Sequence, residues 1–152
     1  MKKQKLILEQ VDRRIQEIAL LDSIVIPHEG WIYSIRNALG MSLRQLGKRL
    51  KITAQSVKEI ENREKNGTVS LAVMRQVGSC LDMKLVYGFI PKAGSLEKMI
   101  ENRAMEIATE IVRRTSASMI LEDQKNTETR LRKAILEKTE EIKQEIPKYL
   151  WD

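Results

Sequence analysis

Cysteine and histidine occur once each, at Cys80 and His28. A single cysteine excludes an internal disulfide and a cysteine-rich zinc site, and one histidine cannot supply the several convergent ligands a metal needs. Cys80 reads as a small core residue and His28 as part of a linker. Aromatics are scarce, with one Phe, three Tyr and two Trp, so Leu, Ile, Val and Met must build most of the core. No apolar run approaches the roughly 18 residues of a membrane span. The basic start, Met1–Lys5, lacks the apolar stretch and small-residue cleavage site of a signal peptide. The cytosol is therefore the expected compartment, with no membrane partner. Few prolines and glycines beside 32% charged residues point to a helix-rich chain. No phosphate-binding glycine loop and no nucleophile–base constellation appears. The carboxylates of the last third alternate with basic residues at helical spacing, as on solvated faces. No catalytic residue, metal or cofactor is expected, and the chain does not read as an enzyme.

The charge is unevenly placed. The chain carries a net +6, and residues 28–92 hold eleven basic and five acidic side chains, so they account for all of it. The flanks, 1–27 and 93–152, stand at +1 and −1. A compact basic segment between near-neutral flanks suggests a polyanionic partner.

Three regions follow from the punctuation. Residues 1–27 read as an N-terminal amphipathic helix, with Leu6, Val11, Ile15 and Ile18 on one face, and a linker marked by Pro27. Residues 28–92 hold four short helical patterns. Trp31–Leu39 presents Ile32, Ile35 and Leu39 and stops at Gly40. Ser42–Leu50 opens with Ser42 and Gln45 at capping-box spacing and carries Leu43, Leu46 and Leu50. Thr53 caps a third helix that buries Val57 and Ile60. After the Asn66–Gly67 turn, Thr68 or Ser70 caps a fourth through Leu71, Met74, Val77 and Leu81. Lys84–Pro91 is rich in branched and aromatic residues and predicts one short strand. Residues 93–152 read as a helical extension. One helix starts after Ser95 with Leu96, Met99, Arg103, Ile107 and Ile111 on a face. Another covers about 127–146 with Leu131, Ile135, Lys138 and Ile142, and Pro147 ends it. The fold class is mostly α.

The middle of this pattern carries a recognisable unit. Two helices of about nine residues are joined by Lys51-Ile52-Thr53, the geometry of a helix-turn-helix. A short turn pinned by apolar residues projects the second helix into a DNA major groove. Gly47 sits where a side chain would collide, and Ile52 and Val57 supply the pins. The outer face of the second helix then holds Gln55, Ser56, Lys58, Glu59 and Asn62 as candidate base contacts. Gln pairs with adenine, Lys donates to guanine or phosphate, and Glu accepts from cytosine. Arg44, Gln45, Lys48, Arg49 and Lys51 lie beside this face as candidate phosphate contacts, which position the protein without specifying sequence. The expected partner is double-stranded operator DNA.

From Gly40-Met41-Ser42-Leu43-Arg44-Gln45-Leu46-Gly47 through Ile52–Asn62, the chain resembles the Xre/Cro/C1-type (lambda repressor-like) helix-turn-helix family of phage repressors and antitoxins. The likeness covers about Trp31–Leu81. It implies an ion pair between Arg36 in the first helix and Glu61 late in the recognition helix. Two positions depart from the pattern. Leu43 stands where many members carry a phosphate-binding Gln, which leaves that part to Arg44 or Gln45. Arg63 stands where most have Gly, and the glycine is delayed to Gly67.

Over nearly the whole chain, Gly30-Trp31-Ile32, Leu43–Leu46, Gln55-Ser56-Val57, Leu85-Val86-Tyr87, Pro91-Lys92, Ser95–Met99 and Leu150-Trp151-Asp152 resemble the mobile mystery protein A family. Its members occur beside a Fic-domain protein. The resemblance implies a DNA-binding antitoxin that represses its own operon and neutralises a Fic-type toxin encoded nearby. The alternative is a stand-alone repressor whose C-terminal helices only form a homodimer. Within residues 93–152, Ser118 and Glu122 match the S/T-x-x-x-E part of the helix motif that restrains Fic proteins, while Asp123 departs from the Gly or Asn expected after it.

Overall fold

Apolar residues three and four apart, bracketed by capping residues, resolve into seven α-helices and one short 3-10 helix in the computed structural model, which describes residues 2–116 and 124–152. The helices are α1 (Lys2–Ala19), α2 (Trp31–Ala38), α3 (Leu43–Leu50), α4 (Ala54–Asn66), α5 (Leu71–Cys80), α6 (Leu96–Ser116) and α7 (Gln124–Glu145), followed by the 3-10 turn Lys148–Trp151. The described residues contain no strand, so the strand expected over Lys84–Pro91 is corrected to irregular chain outside any helix or ladder. Strand propensity reflects packing against cross-strand neighbours, and no neighbouring strand is present among the described residues. None of the described helices is long and apolar enough to cross a membrane.

The chain forms two compact units. One is continuous, Ser23–Tyr87; the other joins Met1–Asp22 to Gly88–Asp152. These boundaries differ from cuts near Pro27 and Lys92, and α1 belongs with the C-terminal helices rather than standing apart.

The continuous unit packs α2–α5 around Ile32, Leu46, Val57 and Val77, one residue from each helix. Leu46 is fully buried, which contributes about 1.5–3 kcal/mol relative to exposure. Leu43, Leu50, Ile60, Val73, Met74 and Leu81 close around that centre. At the start of α5 it is Ser70, not Thr68, that caps, accepting from the Val73 N–H at 3.2 Å.

In the discontinuous unit α6 and α7 make the most extensive helix contact. Its core is Ile100, Ala104, Ala108, Ile142 and Leu150, flanked by Leu8, Ile107, Ile111, Ile135 and Ile146. The buried stripe of α6 is thus Ile100–Ala104–Ala108–Val112, offset by one position from the expected Met99–Arg103–Ile107–Ile111 face. Two fully buried alanines mark the closest packing, where larger side chains would have no room. On α1 Leu8 packs against this core and Ile15 and Ile18 of the expected face are half-buried, while Leu6 is 54% exposed and Val11 is exposed as well. Asp12 of α1 caps α6, its carboxylate accepting from the N–H groups of Leu96 at 2.7 Å and Glu97 at 3.1 Å. Ser95 adds a bond from the Lys98 N–H at 3.0 Å. Arg103 donates to the carbonyls of Leu150 at 2.7 Å and Asp152 at 2.6 Å, which holds the 3-10 turn and its buried Leu150 against α6.

Candidate nucleic-acid interface

The site is built on α3, a three-residue turn, and α4. Ser42 and Gln45 form a complete capping box: the Ser42 hydroxyl accepts from the Gln45 N–H at 3.1 Å, and Gln45 Oε1 accepts from the Ser42 N–H at 2.8 Å. At the other end Lys51 takes the left-handed conformation with φ 58°, and the Ile52 N–H donates to the Gly47 carbonyl at 2.9 Å. The chain turns so closely over α3 that a Cβ on Gly47 would stand 2.7 Å from the Ile52 carbonyl oxygen. Gly47 is therefore required by the backbone of the turn itself rather than by the second helix. Thr53 then caps α4, its hydroxyl accepting from the Ser56 N–H at 3.1 Å. Val57 is buried and pins α4 from within. Ile52 is 37% exposed, so its expected pinning role is corrected: its carbonyl, not its side chain, makes the close contact.

On α4, Gln55, Lys58, Glu59 and Asn62 are exposed, and their i, i+3, i+4, i+7 spacing puts them on one face. Ser56 is half-buried, with its hydroxyl accepting from Thr53 at 2.9 Å, so it belongs more to the cap than to the open face. Arg44, Gln45, Lys48, Arg49 and Lys51 are all exposed. Two of them carry other duties. Gln45 uses its oxygen in the capping box, which leaves its amide N–H groups as donors. Arg49 reaches the Cys80 carbonyl at 3.4 Å, while the half-buried Cys80 thiol donates to the Arg49 carbonyl at 3.5 Å.

Behind the face, Arg36 and Glu61 are 8% and 6% exposed. Arg36 Nε donates to Glu61 Oε1 at 2.5 Å and Nη2 to Oε2 at 3.3 Å. The remaining nitrogen donates to the Met41 carbonyl at 2.8 Å, and the guanidinium lies 5.4 Å from the centre of the Tyr33 ring. The pair fixes α2 to α4 and also holds the loop leading into α3. Breaking it would strand a buried charge, so it sets the pose of α4 rigidly.

One positioning residue was not legible from the sequence. The Glu64 carboxylate accepts from the N–H groups of Trp31 at 2.7 Å and Ile32 at 2.8 Å, capping α2 from the far end of α4. Gly30, with φ 88°, lies so near that a Cβ would stand 2.8 Å from the Glu64 carboxyl carbon. This cap exists because α4 runs on past Asn62 to a stop at Gly67, where φ is 75°. The delayed glycine thus has a structural consequence. A polar cleft of about 330 Å³ beside α4 is lined by Tyr33, Lys58, Asn62 and Lys65 among others, and Lys65 pairs with Glu29 at 3.0 Å.

Among the described residues no group of three or more His, Cys, Asp and Glu side chains could hold a metal ion. Ser118 and Glu122 lie outside the described residues. Comparison of the chain with protein-family models, with curated proteins and with solved structures finds no match.

Proposed function

We propose that this chain is a sequence-specific DNA-binding protein with an Xre/Cro-type helix-turn-helix, whose α4 enters the major groove. The observation that carries this reading is the three-residue turn over Gly47, which projects a helix bearing Gln55, Lys58, Glu59 and Asn62 on its open face. Gln55 stands near the helix N-terminus, the part of a recognition helix that reaches base edges. Arg44, Lys48 and Lys51 flank it as donors to phosphate. The +6 surplus of residues 28–92 supplies the electrostatic attraction.

We further propose that the protein is a cytosolic antitoxin that represses its own operon and restrains a Fic-type toxin encoded beside it. This part rests on the resemblance of the sequence to the mobile mystery protein A family. A stand-alone repressor is the other reading. Co-expression with the neighbouring gene product, followed by co-purification, separates the two.

The DNA reading is tested by mobility shift with the protein's own promoter against random duplex at several salt concentrations. Preferential binding is expected, and log K should fall linearly with log salt, with a slope of about −0.9 per phosphate contacted. Equal affinity for random DNA would remove the repressor role.

A further inference from the structure

In the discontinuous unit a cleft of about 480 Å³ opens between the first turns of α1, the start of α6 and the end of α7. Its volume lies within the roughly 300–1,000 Å³ of pockets that hold small molecules. Its apolar wall is Leu8, Ile100 and Ile146, which belong to the core of this unit or pack against it. Ile146 stands there at a cost. Its φ is 45°, a left-handed conformation that a β-branched residue rarely takes and that glycine takes freely. The position closes α7, with the Ile146 N–H donating to the Ile142 carbonyl at 2.9 Å. A glycine would close the helix as well, but it would leave no aliphatic wall.

The rim of the cleft is charged. Lys2, Lys5 and Lys143 line it together with Glu97 and Glu140, which leaves a surplus of one positive charge. Lys143 is shared between Glu101 at 3.7 Å and Glu140 at 3.8 Å. Lys2 and Lys5 take part in no ion pair among the described residues. The first turn of α1 carries no acidic residue, so their own helix turn does not neutralise them.

We propose that this cleft binds a small amphiphilic monoanion, a molecule with an aliphatic tail and one carboxylate head group. The tail lies on Leu8, Ile100 and Ile146, and the head accepts charge-assisted hydrogen bonds from the ammonium groups of Lys2 and Lys5. The charge balance selects the class. A cation would be repelled by two unpaired lysines, and a neutral chain would leave them unmet. A second negative charge would exceed the surplus and meet Glu97 or Glu140. The site is made by α1, α6, α7 and the residue that ends α7, so it does not draw on the DNA-binding reading of α4.

The test is calorimetric titration of the full chain with hexanoate, octanoate and decanoate below their micelle concentrations. One saturable site is expected, with affinity rising by up to about fourfold per methylene, the factor that corresponds to burying one CH₂. Decyltrimethylammonium should bind about tenfold more weakly than decanoate, or worse. Lys2→Glu with Lys5→Glu should lower decanoate affinity by about tenfold or more. Arg132→Glu with Lys133→Glu makes the same charge change on α7 outside the cleft and should leave the affinity nearly unchanged. Ile146→Gly should keep the helical circular dichroism signal and flatten the dependence on chain length. Vesicles of phosphatidylglycerol, which offer anionic head groups with their tails already buried, should not bind. The proposal is overturned by a lack of saturable binding, by affinity that ignores the paired lysine substitution or falls equally in the α7 control, or by an undiminished chain-length dependence in Ile146→Gly. Binding to vesicles without affinity for monomeric decanoate also overturns it, and would make α1 a membrane-surface helix instead.

Discussion

The carboxylate of Glu64 closes on the backbone N–H of Trp31 at 2.7 Å, across 33 residues of sequence. The end of α4 thereby caps the beginning of α2, the helix that supports it. A carboxylate at a helix N-terminus satisfies orphan N–H groups and meets the positive end of the helix dipole. Glu64→Ala should cost about 1–2 kcal/mol, as loss of a strong N-cap does. Chemical denaturation measures the cost, and amide exchange should quicken at Trp31 and Ile32 before the rest of α2. Unchanged exchange at those two amides would show that the cap carries no weight.

Arg36 and Glu61 should behave as a unit. Removing one partner leaves the other buried and unpaired, so Glu61→Ala should lower stability by roughly 3–5 kcal/mol. Arg36→Met combined with Glu61→Leu should recover much of that loss, because the stranded charge is gone. A double-mutant cycle with little coupling energy would contradict the buried geometry.

Gly47→Ala tests the turn. The added methyl meets a backbone carbonyl, which cannot swing aside as a side chain can. Overpacking of this kind costs about 1–3 kcal/mol. The relief available is to open the α3–α4 angle, so promoter affinity should fall by more than the stability loss explains. Gly67→Ala is the control for the left-handed conformation without a steric neighbour and should leave that angle alone.

Base and phosphate contacts should separate by variant. Gln55→Ala should relax base preference at one position and cost about 1–3 kcal/mol on the preferred site. Lys48→Ala should weaken all duplexes alike and reduce the salt slope by about one. Competition binding over a small promoter-variant library reads both effects. If Gln55→Ala weakens every sequence equally, Gln55 is not a reading residue.

In the discontinuous unit, Lys98 donates to Glu101 at 3.1 Å, and Lys143 lies 3.7 Å away. The hydrogen bond and charge of Lys98 hold the Glu101 carboxyl below the usual carboxylate range. A lowered folded-state pKa means the contribution is present above the ordinary glutamate pKa and is lost as pH falls through the lowered value. The pair is solvent-exposed, so the contribution is small and salt weakens it. Carbon-13 titration should give Glu101 a midpoint below an ordinary glutamate, and Lys98→Ala should raise it. A midpoint that ignores the substitution would remove Lys98 as the cause.

Local signals were legible and distant ones were not. Ser42 with Gln45, and Thr53, speak for themselves in the sequence because a cap lies within three residues of the N–H it serves. Gly47 was legible as a close approach, though its neighbour proved to be the carbonyl of Ile52. Glu64 gave no signal, since its partners lie in a helix that ends before α3 begins. The stripe of α6 was misplaced by one residue because Ala104 and Ala108, the most buried positions, are too small to stand out against Met99 and Ile107. Lys84–Pro91 kept its strand character in composition but lacks the neighbour that turns propensity into a ladder.

The chain leaves one unit at Asp22 and returns to it at Gly88, and this fixes an order of events during synthesis. Residues 23–87 emerge from the ribosome as a contiguous stretch whose core partners lie within it, so they can fold at once. The Asp12 carboxylate, by contrast, caps Leu96 across 84 residues. Leu8 and Asp12 must wait, with the apolar side of α1 uncovered, until translation has passed α6. Bringing distant segments together is slow, so the nascent protein spends its most vulnerable interval with the continuous unit finished and the discontinuous one unfinished. A gene encoding 23–87 can be cut out in one piece, whereas the other unit can be made alone only by splicing residue 22 to residue 88 through a new linker.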